Sequence, residues 1–272
     1  MSGGTAQTAA NKQQRQLLPL LAADAGAALG ASFLVSPFIC IVDRSIIQNA
    51  SGAMKMGESV RAGLLELVTK PHLFFARREF GMIWAVYAST YITANVINTS
   101  CEWRGLDASW PKFLGTTMVN MASGISKDRA FTRMFGTTKP RPVPTPTYAL
   151  FMIRDAGTVA ASFNFPEPAS EWLQGQGWSK GKADITAQMV CPAAVQILST
   201  PLHLLGLDLY NTPQSTPAGR MHAIRTNYFS SVLARFCRIG PAFGIGGVGN
   251  TFFRKQLRAA VGDVAPVAVA KA

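Results

Sequence analysis

Residues 25–42 read AGAALGASFLVSPFICIV, a run of 18 positions without a charged side chain. Runs of the same kind occupy residues 80–101 (FGMIWAVYASTYITANVINTSC) and 185–207 (ITAQMVCPAAVQILSTPLHLLGL). Each is close to the ~20 apolar residues that a helix needs to cross a bilayer. Three weaker apolar segments lie between and after them, at residues 113–126, 147–165 and 239–253. The sequence therefore predicts an all-α membrane protein with six transmembrane helices.

The composition agrees with a membrane protein. Apolar residues make up 48% of the 272 positions and charged residues only 15%, against ~25% in soluble domains. This excludes a disordered or fibrous chain and disfavours a soluble enzyme. Gly26 and Gly30 have the small-xxx-small spacing that lets membrane helices approach closely, and Pro37, Pro201 and Pro241 lie inside apolar segments. A soluble helical protein with a glycine-rich core is the alternative.

No pattern of catalytic or metal-binding residues stands out. The four cysteines are widely spaced, with neither the CxxC pairing of a zinc site nor the arrangement of a disulfide framework. There is no glycine-rich phosphate loop and no nucleophile with a neighbouring base. We therefore expect no enzyme activity, no cofactor and no metal.

The excess of positive charge lies mostly in alternate connecting segments. Residues 44–79, 127–141 and 209–238 carry +3, +4 and +4, which is +11 of the net +12. Residues 102–112 sum to zero and residues 166–184 to −1. This alternation follows the positive-inside rule for six spans with both termini on one side. It accounts for the basic balance without nucleic acid, and it makes anionic lipid at the basic segments an expected partner.

Two interleaved series of charged residues suggest three repeats of two helices. Acidic residues follow the first, third and fifth spans, and arginines open the second, fourth and sixth. The members are Asp43, Asp128 and Asp208 in the first series, and Arg78, Arg154 and Arg238 in the second. The resulting division has a polar tail at 1–16, a membrane domain at 17–258 and a disordered tail at 259–272, with repeats at about 17–105, 106–180 and 181–258.

On these features, and on the segment ALFMIRDAGTVAASFNFPE at residues 149–167, the sequence resembles a divergent member of the mitochondrial carrier family. The resemblance implies a solute carrier of the mitochondrial inner membrane, multi-pass, with both termini on the intermembrane-space side. It departs from the family at the charged motifs that close each end of a carrier, where most of the expected charges are missing. The remaining candidates for gates or ion pairs are Asp43, Arg44, Lys127, Asp128, Asp208, Glu167 and Arg254.

The resemblance also implies a solute site formed by Arg78, Arg154 and Arg238. Independently of any family, an ionisable residue inside a span is costly and normally faces a water-filled path or a partner. Arg154 fits a solute carboxylate and Asp155 an amine. The alternatives are structural pairing with neighbouring helices for Arg154 and Asp155, and anchoring at the membrane interface for Arg78 and Arg238. His203 is expected to be a core histidine.

Two functions follow. The first is a carrier that moves a small anionic or zwitterionic metabolite, an amino acid or a carboxylate, by alternating access through one central site. The second is a carrier-like protein that does not transport and serves as a structural or assembly subunit of a membrane complex. An open polar cavity would favour the first function, whereas a cavity filled by Trp, Phe or Met would favour the second.

Overall fold

The computed structural model describes residues 3–136, 142–163 and 165–262, and these residues contain helices and no strands. The helices are α1 (Gly3–Ala50), α2 (Met56–Thr69), α3 (Pro71–Ala76), α4 (Arg78–Arg104), α5 (Ser109–Phe135), α6 (Thr145–Phe163), α7 (Pro166–Gly175), α8 (Lys180–Asn211), α9 (Pro217–Pro241) and α10 (Gly249–Ala260), with a π-helix at Ala242–Val248 joining α9 to α10. The predicted all-α class is confirmed. Helix α1 begins inside the segment predicted as a polar tail, and most of the predicted C-terminal tail lies outside the described residues.

Among the described residues, three helices are long and apolar enough to cross a membrane. They are the segment Leu17–Ala50 of α1, and the whole of α4 and α8. These contain the three strong charge-free runs at residues 25–42, 80–101 and 185–207. The three weaker segments are helical where they are described, but none of their helices combines sufficient length, sufficient hydropathy and few enough charges to be a candidate span.

The long helices contact one another in chain order. Helix α1 packs on α4, α4 on α5, α5 on α6, α6 on α8 and α8 on α9, and α9, the π-helix and α10 all return to α1. The chain therefore closes around a central space. Small residues of α1 face α10, since a Cβ added at Gly26 would lie 3.3 Å from Leu257 and one at Gly30 would lie 3.8 Å from Phe253.

The predicted repeats are not confirmed, since equivalent members of each charged series have different surroundings. Asp43 and Asp128 both line the central cavity, whereas Asp208 pairs with Arg220. Arg154 and Arg238 also line the cavity, but Arg78 is exposed at the start of α4.

All three predicted basic connections are largely helical, and residues 44–79 contain the end of α1 together with α2 and α3. Helix α5 continues to Phe135 and helix α9 occupies Pro217–Pro241. Much of the charge assigned to connecting segments therefore belongs to helices, and Lys127, Arg235 and Arg238 line the cavity. The charges counted for the positive-inside rule thus include both exposed residues and buried residues of the cavity, and only the exposed residues report the orientation in the membrane.

A glycine in α8 sets the distance between α8 and α6. A Cβ at Gly206 would lie 2.7 Å from Cε1 of Phe151, a fully buried ring of the apolar core. We expect Gly206→Ala to lower the free energy of unfolding by about 1–3 kcal/mol through overpacking. Thermal unfolding in detergent measures this. Gly181→Ala, in the same helix but with nothing within 4 Å of the added Cβ, is the matched control, and an equal loss in both variants would contradict the packing argument.

Candidate functional site

A cavity of about 350 Å³ lies inside the ring of long helices. Its walls carry hydroxyl, amide and tyrosine side chains together with a set of charged groups. Among the described residues, none that lines the cavity is Trp, Phe or Met. Isoleucine and valine side chains form much of the remaining wall, so the cavity has a mixed lining that is not filled by a Trp, Phe or Met side chain.

One end of the cavity contains a continuous ion-pair network. Asp43 of α1 accepts from Nζ of Lys127 at 2.7 Å and from Nη1 of Arg238 at 2.7 Å. Lys127 also lies 2.6 Å from Oδ1 of the next residue, Asp128. Through these contacts, buried charges of α1, α5 and α9 meet one another. Each buried charge has an oppositely charged partner, which offsets the cost of removing it from water.

Arg154 of α6 extends the network to α8. Its guanidinium donates to Oδ2 of Asp128 at 2.5 Å and to Oδ1 of Asp155 at 2.7 Å. A third donor, Nη1, lies 2.6 Å from Nδ1 of His203. Because arginine has no acceptor, Nδ1 must accept this bond and carries no proton. The ring of Phe151 lies 4.9 Å from the guanidinium carbon, so Arg154 has partners on every side.

A second buried arginine lining the cavity, Arg235, was missed by the sequence analysis. Its Nε and Nη2 donate to Oε1 of Gln196 at 2.9 and 2.7 Å, and Nη2 lies 3.3 Å from Oγ of Ser199. The residue was assigned to a connecting segment. Its spacing of three from Arg238 was the available signal, since positions i and i+3 share a face of a helix.

The charged side chains around the cavity do not cancel. Those carrying positive charge outnumber the carboxylates by one when His203 is neutral. The cations are Lys127, Arg154, Arg235 and Arg238, and the carboxylates are Asp43, Asp128 and Asp155. The cavity is therefore suited to a solute that brings a carboxylate.

A separate ionic cluster surrounds Asp24, which is fully buried in α1. Oδ1 of Asp24 accepts from Nε of Arg254 at 2.8 Å and from Nε of Arg258 at 2.9 Å, and its other oxygen accepts from the hydroxyl of Thr99. Arg258 also lies 3.3 Å from Glu102. Asp24 and Asp43 are 19 residues apart, which corresponds to about 28 Å along a helix. The predicted gate residue Arg254 thus belongs to an ion-pair cluster far from the cavity network.

The other predicted charges lie outside the cavity. Arg44 does not pair with its neighbour Asp43, and instead lies 3.4 Å from Glu66 of α2 and 3.9 Å from Glu79 of α4. The hydrogen bond from Arg77 to Glu66, 2.6 Å long, raises the pKa of that arginine above its ordinary value. These contacts hold α2 against α1 and against the start of α4.

Asp208 and Glu167 have different surroundings. Asp208 lies 2.5 Å from Nη1 of Arg220, an ion pair that joins the end of α8 to the start of α9. Glu167 is exposed at the start of α7 and borders a separate surface cavity between α7 and α8. Arg78 is exposed because α4 begins at this residue, immediately after the break at Arg77. Within the described ranges, no group of three or more His, Cys, Asp and Glu side chains is arranged to hold a metal ion.

In a comparison with protein families, residues 27–258 match the model of a family described as probable citrulline exporter. No curated protein and no solved structure matches the chain. The match overturns the resemblance to mitochondrial carriers. The features behind that resemblance, which are apolar spans, alternating basic segments and arginines near helix starts, are common to membrane proteins with several helices, whereas the charged carrier motifs are mostly missing.

Proposed function

The chain belongs to the probable citrulline exporter family, and from that premise we propose that it exports citrulline through the central cavity. It is a membrane transporter of a small metabolite and not an enzyme. Citrulline is an amino acid with a carboxylate, an ammonium group and an uncharged ureido side chain. The assignment to the mitochondrial inner membrane rested on the carrier resemblance and is not retained.

The observation that supports this proposal best is the cavity with charged walls between the long helices. Its volume of about 350 Å³ is at the small end of the range of ligand sites, which suits a solute of amino-acid size. Opposite charges line it, as a zwitterion requires, and Thr90, Asn120 and Ser162 offer neutral hydrogen-bonding groups for a ureido side chain.

Of the solute-site residues expected from the sequence, Arg154, Asp155 and Arg238 remain candidates. All three line the cavity, and the side chain of Arg238 is 21% exposed, so its charge is reachable from the open space. Arg78 is left out because it is exposed outside the cavity. Six helical segments would then form the spans of an alternating-access transporter. They are α1, α4, α5, α6, α8 and the continuous segment of α9, the π-helix and α10.

The exposed basic residues support an orientation. Lys55, Arg61 and Lys70 are exposed around α2, and Arg129 and Arg133 are exposed near the end of α5. By the positive-inside rule we place this surface on the inner side of the membrane and both termini on the opposite side. Anionic lipid is the partner that this surface fits.

The same cavity argues against a purely structural subunit. The described lining lacks the Trp, Phe and Met side chains expected of a cavity that has been filled, and it keeps buried charges that an inert scaffold would not need. Since buried ion pairs seldom add to stability relative to apolar packing, their presence around a cavity favours a binding role.

Transport in liposomes tests the proposal. Purified protein in vesicles loaded with unlabelled citrulline should accumulate labelled citrulline from outside, well above vesicles without protein. The accumulation should fall when unlabelled citrulline is added outside. Absence of exchange for citrulline, and for a panel of other amino acids and carboxylates, would contradict the proposed function.

A further inference from the structure

Arg235 is a buried cation whose described partners are all neutral. It is 5% exposed, and its hydrogen bonds go to the amide oxygen of Gln196 and the hydroxyl of Ser199. No described carboxylate forms an ion pair with it. A buried charge without a counter-ion is unfavourable, so an anion that reaches Arg235 is bound with little competition.

The other cations of the cavity are already matched. Lys127 lies between Asp43 and Asp128, and Arg238 pairs with Asp43. Arg154 pairs with Asp128 and Asp155. A solute carboxylate that bound to any of these would have to displace a protein carboxylate, whereas at Arg235 it would displace none.

Gln196 holds the guanidinium in place. Its side chain is fully buried, and its amide nitrogen donates to the backbone oxygen of Pro192 at 2.8 Å. This bond fixes the amide so that its oxygen faces Nε and Nη2 of Arg235. The positive group is therefore positioned before any solute arrives, which lowers the cost of binding.

Asp155 supplies a matching free acceptor. Its Oδ1 accepts from Arg154, but its Oδ2 is buried with no hydrogen-bond partner among the described residues. Asp155 and Arg235 line the same cavity. Arg235 thus lacks a carboxylate partner, and Oδ2 of Asp155 lacks a hydrogen-bond donor. A buried acceptor without a donor is unusual in a folded protein.

We infer that Arg235 binds the solute carboxylate and that Asp155 binds its ammonium group, with Arg154 acting as the residue that positions Asp155. This rests on the proposed function and specifies its site. It also defines the class of solute. Once both free groups are used, no unpaired carboxylate remains for a second cation, so the side chain of the solute must be uncharged. Citrulline fits, whereas ornithine and arginine do not.

The test compares Arg235→Gln with wild type. The variant should raise KM for citrulline at least about tenfold, equal to ~1.4 kcal/mol of lost binding, without lowering thermal stability. It should also lose the ability to discriminate citrulline from citrullinamide, in which the carboxylate is a neutral amide. Arg235→Lys should retain part of that discrimination. Arg225→Gln, an exposed position on the same helix, is the matched control and should leave KM unchanged.

A binding measurement without transport distinguishes the proposed citrulline export from the proposed role of Arg235. In detergent, citrulline should raise Tm of the wild type and not of Arg235→Gln. An Arg235-dependent shift in a protein that fails to transport would overturn the proposed function alone. Normal transport by Arg235→Gln with unchanged KM and discrimination, or an equal shift in both proteins, would overturn the role of Arg235. No shift in the wild type would overturn both.

Discussion

Alanine in place of Arg154 is expected to abolish citrulline transport and to destabilise the protein. The guanidinium is the only described link between Asp128, Asp155 and His203, and its loss leaves Asp155 without its cation inside the cavity. Removing one partner of a buried ion pair costs about 3–5 kcal/mol. We expect the initial rate of exchange to fall by about 100-fold or more, which corresponds to ~2.7 kcal/mol of activation free energy.

Two further variants separate transport from folding. Arg129→Ala removes an exposed arginine of α5 and should leave rate and Tm close to wild type. The double variant Arg154→Gln, Asp155→Asn removes one positive and one negative charge together, so it should recover much of the lost stability. It should still fail to transport, because the solute ammonium has lost its carboxylate. Transport at the wild-type rate by this double variant would show that Arg154 and Asp155 are structural only.

Asparagine in place of Asp24 is expected to cost about 3 kcal/mol of unfolding free energy. Asp24 is fully buried and is the carboxylate nearest to both Arg254 and Arg258, at 2.8 and 2.9 Å. The isosteric amide keeps the packing but removes the charge. The loss is placed at the low end of the range for broken buried pairs because the two arginine side chains keep 20% and 14% exposure.

A double-mutant cycle checks this assignment. Arg254→Gln should cost less in the Asp24→Asn background than in the wild type, since the pair is already broken there. Asp107→Asn, at an exposed acid in the connection between α4 and α5, is the control and should change Tm little. Strictly additive losses for Asp24 and Arg254 would show that the two side chains are not energetically coupled.

The long runs without charged residues gave the most accurate predictions from the sequence. The three longest runs became the helices that can span a membrane, since the bilayer requires long apolar segments whatever the tertiary structure. The weaker segments gave helices with misplaced ends. Helices α5 and α9 extend through charged residues because partners on neighbouring helices satisfy those charges, and such partners are not visible in a local window.

The same limit applied to the candidate site. Arg154 and Asp155 stood out because charges are rare inside apolar segments, and both line the cavity. Arg235 did not stand out, since its stretch of sequence is polar and only the structure shows that it is buried beside Gln196. Arg78 was selected by its place in a repeat, but a helix start at that residue leaves it exposed.

The charge of the cavity with and without solute determines how a membrane voltage acts on transport. Four cations face three carboxylates there, so the empty site carries one net positive charge. A zwitterion adds none, and the occupied site therefore has the same charge as the empty one. A membrane potential acts on a moving charge with ~2.3 kcal/mol per 100 mV, but here it acts equally on both forms. Exchange of citrulline would then be electrically silent, with its direction set by concentration alone.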